Sequence, residues 1–252
     1  MKKEKAYKLL AIQEKISNNA AKELIDSGLV YAHGKKLSIA RGEIDANTIF
    51  KVLKIPKPKI IFEDDKILAI NKPPFLVSDK VAEIYKATLL NRLDRETSGV
   101  LLMSKDEEFR TKAIQEFINL KVKKIYFAMV KGVVSEELVI DSPILTIKSK
   151  GLAFSKISPN GKSAITRVYP FMVSGKKSIV RVEIDTGRTH QIRVHLASQN
   201  LPIIGDEKYA KNSAKRMYLH SYKTEILGYK FIAPLDDSFS EFGFEIPKNL
   251  VF

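Results

Sequence analysis

Apolar residues recur at helical spacing through Leu9, Ile12 and Ile16 and again through Ala20, Ala21, Leu24 and Ile25, with a stop at Gly28, so the chain opens on two short helices. Strand-like runs follow at Leu29 to Tyr31 and Leu37 to Ile39 around a His33-Gly34 turn, and Thr48 to Leu53 forms a last strand after Arg41-Gly42-Glu43-Ile44-Asp45. Pro56 and Pro58 favour a stiff, extended connection with neither helix nor central strand through it. This divides the chain into a first domain over 1–54, a linker over 55–59 and a second domain over 60–252.

The second domain mixes strands with few helices, an α+β pattern. Ile60 to Phe62, Ile67 to Ile70, Val100 to Met103, Ile125 to Val130, Ile165 to Tyr169 and Ile179 to Ile184 read as strands. One helix is marked by Ser104 as cap with Glu107 three residues on, and by a stripe of Phe109, Ala113, Ile114, Phe117 and Ile118. Another begins near Thr189. No fixed-period repeat supports a solenoid or propeller.

Composition narrows the partners. A net charge of +14 and a pI near 9.6 suit a protein that works beside a polyanion, with nucleic acid the leading class. Up to Lys59 thirteen Lys or Arg stand against six Asp or Glu, a balance of +7 in under a quarter of the chain. Lys22, Lys35 and Arg41 are the candidate phosphate contacts there, against the plainer reading of a solvated basic face. No apolar run approaches the roughly 18 to 20 residues of a bilayer span and the start lacks a signal-peptide core, so a cytosolic, non-membrane protein is expected. With no coiled-coil seam it is expected to be a monomer. Zero cysteines exclude disulfides, thiolate zinc sites and cysteine nucleophiles.

Three stretches carry candidate chemistry. Asn91-Arg92-Leu93-Asp94-Arg95-Glu96-Thr97-Ser98-Gly99 is a polar loop that ends at an apolar strand, a common place for an active site. Gly187-Arg188-Thr189-His190-Gln191-Ile192-Arg193-Val194-His195 runs from a strand end into a helix that Thr189 can cap. Its two histidines are five residues apart and so point about 140° away from one another, which excludes a helical metal pair. Lys124 to Gly132 is a strand that places Tyr126, Ala128 and Val130 on one face. Taken singly, each has a bland reading: a turn former, a solvated helix start, a core tyrosine.

Together and in this order, the three stretches resemble the RluA-type family of RNA pseudouridine synthases, whose loop reads His-Arg-Leu-Asp-x-x-Thr-Ser-Gly and whose later motif reads Gly-Arg-Thr-His-Gln-Ile-Arg-Val-His. The resemblance runs from Ile60 to Pro234 and includes Ile70-Asn71-Lys72-Pro73, Pro202-Ile203-Ile204-Gly205-Asp206 and Leu219-His220. Ser27-Gly28-Leu29-Val30-Tyr31 and His33-Gly34-Lys35 in the first domain resemble the αL-type RNA-binding domain shared by a small-subunit ribosomal protein and tyrosyl-tRNA synthetases.

The resemblance implies a small RNA-binding domain followed by a catalytic domain with a mixed, mainly antiparallel sheet flanked by helices and loops. It implies isomerisation of uridine to pseudouridine, by default in large-subunit ribosomal RNA with transfer RNA as the alternative, with Asp94, Tyr126 and Arg193 as the catalytic set. Tyr126 would pack on the target base, Arg193 would pair with Asp94, and Arg92 would help displace the base, with Arg188 and His190 as further RNA contacts. Breaking the glycosidic bond and rejoining it through carbon 5 suits a carboxylate that either attacks the ribose or takes its proton. Because the product is an isomer of the substrate, neither cofactor nor metal is expected.

Two departures matter. Asn91 stands where the family usually has His, and the Pro74 to Leu90 stretch is short and lacks the His-Pro pair that often follows the Lys-Pro turn. The target site is therefore not inherited. The rival readings are a non-catalytic RNA-binding or ribosome-assembly factor on the same fold and, more remotely, a metal-dependent nuclease, for which Asp94 and Glu96 make a thin site.

Overall fold

The computed structural model describes residues 2–149, 152–210, 212, 214–247 and 250. The chain forms two compact units, residues 1–56 and 57–252. In the first, β1 (Lys3–Lys5), α1 (Ala6–Glu14) and α2 (Asn18–Asp26) precede β2 (Val30–Ala32), β3 (Lys35–Lys36), β4 (Glu43–Asp45) and β5 (Phe50–Val52). Ser17 caps α2 by accepting the Ala20 N–H at 3.1 Å. Leu10, Ala21, Ile25, Val30 and Phe50 close the core. His33 and Gly34 both have positive φ, which matches the right-handed twist of a two-residue hairpin between β2 and β3. The third strand of this small sheet is shorter and earlier than Leu37 to Ile39, because Ser38 and Ile39 turn out to solvent before Ala40 returns to the core.

The second unit contains β6 (Lys59–Glu63), β7 (Ile67–Lys72), α3 (Ser78–Tyr85), β8 (Thr88–Leu89), β9 (Ser98–Ser104), α4 (Glu107–Ile118), β10 (Lys123–Lys131), β11 (Leu138–Asp141), β12 (Ile144–Ser149), β13 (Leu152–Ile157), β14 (Ile165–Ser174), β15 (Lys177–Ile184), α5 (Gln191–Ser198), β16 (Leu219–Ile226) and β17 (Tyr229–Ile232). One sheet runs β11-β14-β15-β10-β16-β9-β7-β6, with β17 beside β16 and β8 beside β9, while β12 and β13 form a separate hairpin. Its pairings are antiparallel except that of β16 with β9.

Both sheet faces are covered, and the period of two divides the strands between two cores. On β7, Leu68 and Ile70 join Tyr126, Ala128, Val130, Ile192 and Leu196 on one face, while Ile67 and Ala69 join Phe109 and Ala113 of α4 on the other. At the parallel pairing, His220 opposes Ser98 and Ser221 opposes Gly99. Gly99 has φ +107° and a Cβ there would lie 2.1 Å from the Ser221 carbonyl oxygen, so only glycine lets the two strands meet at the end of the Asp94 loop.

Helix starts differ from the sequence reading. Asp106, not Ser104, caps α4, accepting the Phe109 N–H at 2.6 Å, because the Ser104 hydroxyl is engaged with the Lys66 and Asp106 carbonyls. Ile114 and Ile118 face solvent, leaving Phe109 and Ala113 as the buried stripe with Phe117 packed at its edge. The N-cap of α5 is His190, in the left-handed region at φ +55°, with no side-chain cap from Thr189.

Candidate active site

Asp94 lies between β8 and β9 in a turn closed by the Thr97 N–H on its carbonyl at 3.1 Å. Its two neighbours are tied down from different elements. The Ser78 hydroxyl, at the start of α3, donates to the Leu93 carbonyl at 3.0 Å and accepts the Leu93 N–H at 3.1 Å. Lys72, fully buried at the end of β7, donates to the carbonyls of Pro73, Leu76 and Arg95 at 3.0, 2.7 and 3.2 Å. Burial pushes this ammonium down to about 7, against the pull of Glu96 and Asp94. Asn91 ties the loop to β9 by accepting the Leu102 N–H at 2.8 Å.

Facing the loop is α5. Arg193 sits in its first turn, 5% exposed, and donates through Nη1 to Asp94 Oδ2 at 2.8 Å. Its Nε and Nη2 grip the two oxygens of Asp206 at 2.8 and 2.9 Å. Burial opposes the charge of Arg193, yet the bonds and charges of Asp206 and Asp94 hold its pKa above the ordinary guanidinium value. Asp206 is likewise held below the usual carboxylate range: burial works against its ionisation, and Arg193 outweighs it. The Tyr209 ring covers the guanidinium at 5.1 Å, and its hydroxyl meets His190 Nδ1 at 2.7 Å. His190 Nε2 is 3.8 Å from Asp94 Oδ2, and burial favours the neutral imidazole.

The rest of the second motif is scaffold. Gln191 accepts from Thr186 Oγ1 and the Arg188 N–H and donates to the Ile165 carbonyl, which fixes the turn before α5. His195 is fully buried between Thr166 Oγ1 and the Ser142 carbonyl at 2.8 and 2.9 Å.

A cleft opens beside Asp94, lined by buried Tyr126, Ile184 and Leu219 and by the more exposed Arg92, Arg188 and His190. A wider groove shares Arg92, Asp94, Arg188 and His190 with it and extends to Arg95 and Lys148. Burial, with the Asp94 charge adding to it, pushes the Tyr126 hydroxyl up to about 12, so the phenol is neutral and its ring offers an apolar face. Arg92 is exposed and pairs with Asp79 at 3.1 Å, while Arg188 donates to the Ser163 carbonyl at 3.0 Å.

Asp94, Tyr126, Arg193, Arg92, Arg188 and His190 thus meet at one cleft, although Asp94 and Arg193 are 99 residues apart. In the first unit, Lys22 is half-buried over the Tyr7 ring at 4.5 Å, and Lys35 and Arg41 are exposed. Lys72, Ser78, Asp206 and Tyr209 were given no role by the sequence reading. The one available signal was that Lys72 and Asp206 fall inside the matched Ile70 to Pro73 and Pro202 to Asp206 stretches. Among the described residues no group of three His, Cys, Asp or Glu could hold a metal ion, and no helix is long and apolar enough to cross a membrane.

Comparison with known proteins gives consistent findings. A family model described as RNA pseudouridylate synthase matches residues 71–198. A Helicobacter pylori (strain J99) protein named as an RNA pseudouridine synthase is 53% identical over 237 residues, covering 92% of this chain and 98% of its own. The ribosomal large subunit pseudouridine synthase D of Pasteurella multocida (strain Pm70) is 27% identical over 250 residues, covering 84% of this chain and 76% of its own. In fold, human RNA pseudouridylate synthase domain containing 1 superposes with a TM-score of 0.65 at 23% identity, over 73% of this chain and 86% of that one.

Proposed function

The chain belongs to the RNA pseudouridylate synthase family, isomerases that act on RNA, and from that premise we propose that Asp94 is its catalytic carboxylate, working on a uridine drawn out of its stack into the cleft beside Tyr126. The observation that carries this reading is the Asp94 carboxylate held at 2.8 Å by buried Arg193 while it lines a cleft with a neutral aromatic ring.

The reaction breaks the bond from the ribose to N1 of uracil, turns the base and forms a bond to carbon 5. The C5 proton is lost and N1 gains one, so the product is an isomer and no electron or group donor takes part. One Asp94 oxygen is committed to Arg193, and the other accepts no hydrogen bond from the described residues, which suits either attack on the ribose or removal of its proton. Extruding the base costs a few kcal/mol, returned in part by stacking on an aromatic face, the part given to Tyr126. Arg92, exposed at the cleft mouth and, among the described residues, held only by a surface ion pair with Asp79, can exchange that partner for the vacated stack.

The substrate is proposed to be large-subunit ribosomal RNA, on the strength of relatives so named. The first unit is proposed to be an αL-type RNA-binding domain that contributes Lys22, Lys35 and Arg41 to phosphate contacts, with Arg188 and His190 touching RNA at the cleft, in a cytosolic monomer.

Asp94→Asn should lower pseudouridine formation below detection while RNA affinity stays nearly unchanged, read by mass-resolved nucleoside analysis beside a binding assay. Normal turnover in that variant removes Asp94 from its role. A wild-type chain that binds RNA tightly but modifies none supports the rival reading of a binding factor on this fold. Mapping pseudouridines in the source organism with and without the gene names the position.

A further inference from the structure

On the reading that Asp94 carries the chemistry, we infer that Asp206 is a positioning residue for it: by gripping one edge of Arg193, Asp206 restricts the guanidinium to a single bond with Asp94 and keeps the second Asp94 oxygen open to the nucleotide.

A guanidinium chelates a carboxylate readily, because its N–H groups come in parallel pairs that match the two oxygens. Left with one carboxylate, Arg193 would take both oxygens of Asp94 and leave neither for the ribose. Asp206 prevents this by taking Nε and one N–H of Nη2 at 2.8 and 2.9 Å, which fixes the plane and direction of the guanidinium so that, of its three remaining N–H groups, only one on Nη1 reaches Asp94 Oδ2. Asp94 Oδ1 accepts no bond from any described residue.

Asp206 can act this way because it is itself fixed. It is 1% exposed, and its Oδ1 also accepts the N–H groups of Lys208 and Tyr209 at 2.9 and 3.1 Å. The turn that carries it is pinned at Gly205, where φ is +82° and a Cβ would lie 1.8 Å from the Arg216 carbonyl oxygen. Tyr209, at the far end of the same turn, lies over the guanidinium face, and its hydroxyl accepts the Ser155 N–H at 2.9 Å. Arg193 is therefore held on its edge by a carboxylate and on its face by a ring, both from residues 205–209.

Energetics favour a geometric role over a stabilising one. Burying a charge pair this deeply loses hydration that the mutual attraction only roughly offsets, so such a pair adds little stability over an apolar packing. What it does supply is a fixed donor direction next to a reactive oxygen.

The test uses the full-length chain with Asp206→Asn and Asp206→Ser, each of which can still accept an N–H of the 206–209 turn. Rate is read by steady-state turnover on an RNA that wild type modifies, corrected for the folded fraction from thermal unfolding. Expected is a fall in kcat of about 10²-fold, the scale of a small misplacement of a reacting group, with KM unchanged. A crystal structure of Asp206→Asn should show Arg193 making two bonds to Asp94. Wild-type kcat in the folded variants, a loss that vanishes on correction for folding, or Arg193 still singly bonded to Asp94 overturns the inference. An active wild type with an inactive Asp94→Asn and a fully active Asp206→Asn fails this inference alone. Normal turnover in Asp94→Asn removes the underlying reading, and this inference with it.

Discussion

Lys35 and Arg41 of the first unit stand exposed, with no ion pair among the described residues, whereas Lys72, Arg193 and Arg216 of the second unit are buried and surrounded by acceptors. Both groups of cations belong to the same basic chain. A hydrated cation on a long, mobile stem keeps its reach and a field that salt can screen, so it suits attraction to a polyanion whose position is not yet fixed. A buried cation has lost that field to its partners and gained a direction. Lys72 sets the backbone of the Asp94 loop, Arg193 sets the carboxylate, and Arg216 joins Asp236 to Ser98 at the base of β9. The buried cations of the second unit thus act through geometry, whereas exposed cations such as Lys35 and Arg41 are suited to act through potential.

The sharpest way to break this contrast is to remove one cation of each kind. Arg193→Leu leaves Asp206 buried without a counter-charge, so it should destabilise the fold by about 3–5 kcal/mol and abolish activity. Arg41→Leu, at an exposed site, should stay within about 0.5 kcal/mol. Urea unfolding of the two variants side by side decides it, and equal losses would erase the distinction.

Next in size is a pH effect confined to the second unit. His220 is buried, its Nε2 donating to the Ala233 carbonyl and its Nδ1 meeting the Ser98 hydroxyl, each at 2.8 Å. Burial lowers it from 6.5 to about 4, and burial lowers His195 as well. A histidine depressed on folding stays neutral while the unfolded chain takes up a proton. Its contribution is therefore whole above pH 6.5 and is lost as pH falls towards 4. His220 alone should remove about 1.5 kcal/mol between pH 6.5 and 5, above the range where most carboxylates titrate. Denaturant titrations of wild type and His220→Asn over that interval provide the check: the variant should be weaker at pH 7 but flatter towards acid, and an equally steep decline in both would remove His220 as the cause.

The same contrast explains what could be read from the sequence. The Asp94 loop, the Tyr126 strand and the Arg193 helix were legible because each has a dense local pattern, and their order brought them to one family and one mixed sheet. The restraints around them were not, since Ser78, Lys72 and Asp206 act through a few polar bonds, some local and others to residues 13 to 23 positions away, and leave no periodic trace. Helix starts failed for a related reason. Ser104 and Asp106 are both good caps, and only the packing around the Lys66 carbonyl decides between them. His190, an unlikely residue for a left-handed N-cap, is held there by Tyr209 from another segment. The hairpin β12–β13, whose Lys148 reaches the groove, lacks a clear period of two, because each short strand sets one lysine, Lys148 or Lys156, among apolar residues that are partly solvated.

The smallest expected effect bears on the first unit. Lys35→Ala with Arg41→Ala should leave kcat and unfolding unchanged, because neither side chain supports the core around Leu10 and Phe50. If both contact phosphates, RNA affinity should weaken by a similar factor on every sequence tested, and the slope of log affinity against log salt should become shallower by about 1 to 2, one condensed counterion being released for each contact. Filter binding at several salt concentrations measures that slope directly. A lower affinity with an unchanged slope would point to a lost shape contact instead of a lost phosphate contact. Wild-type affinity and slope together would assign these two cations to keeping the first unit hydrated, and the grip on RNA would then rest on Arg92, Arg95, Lys148 and Arg188 around the groove.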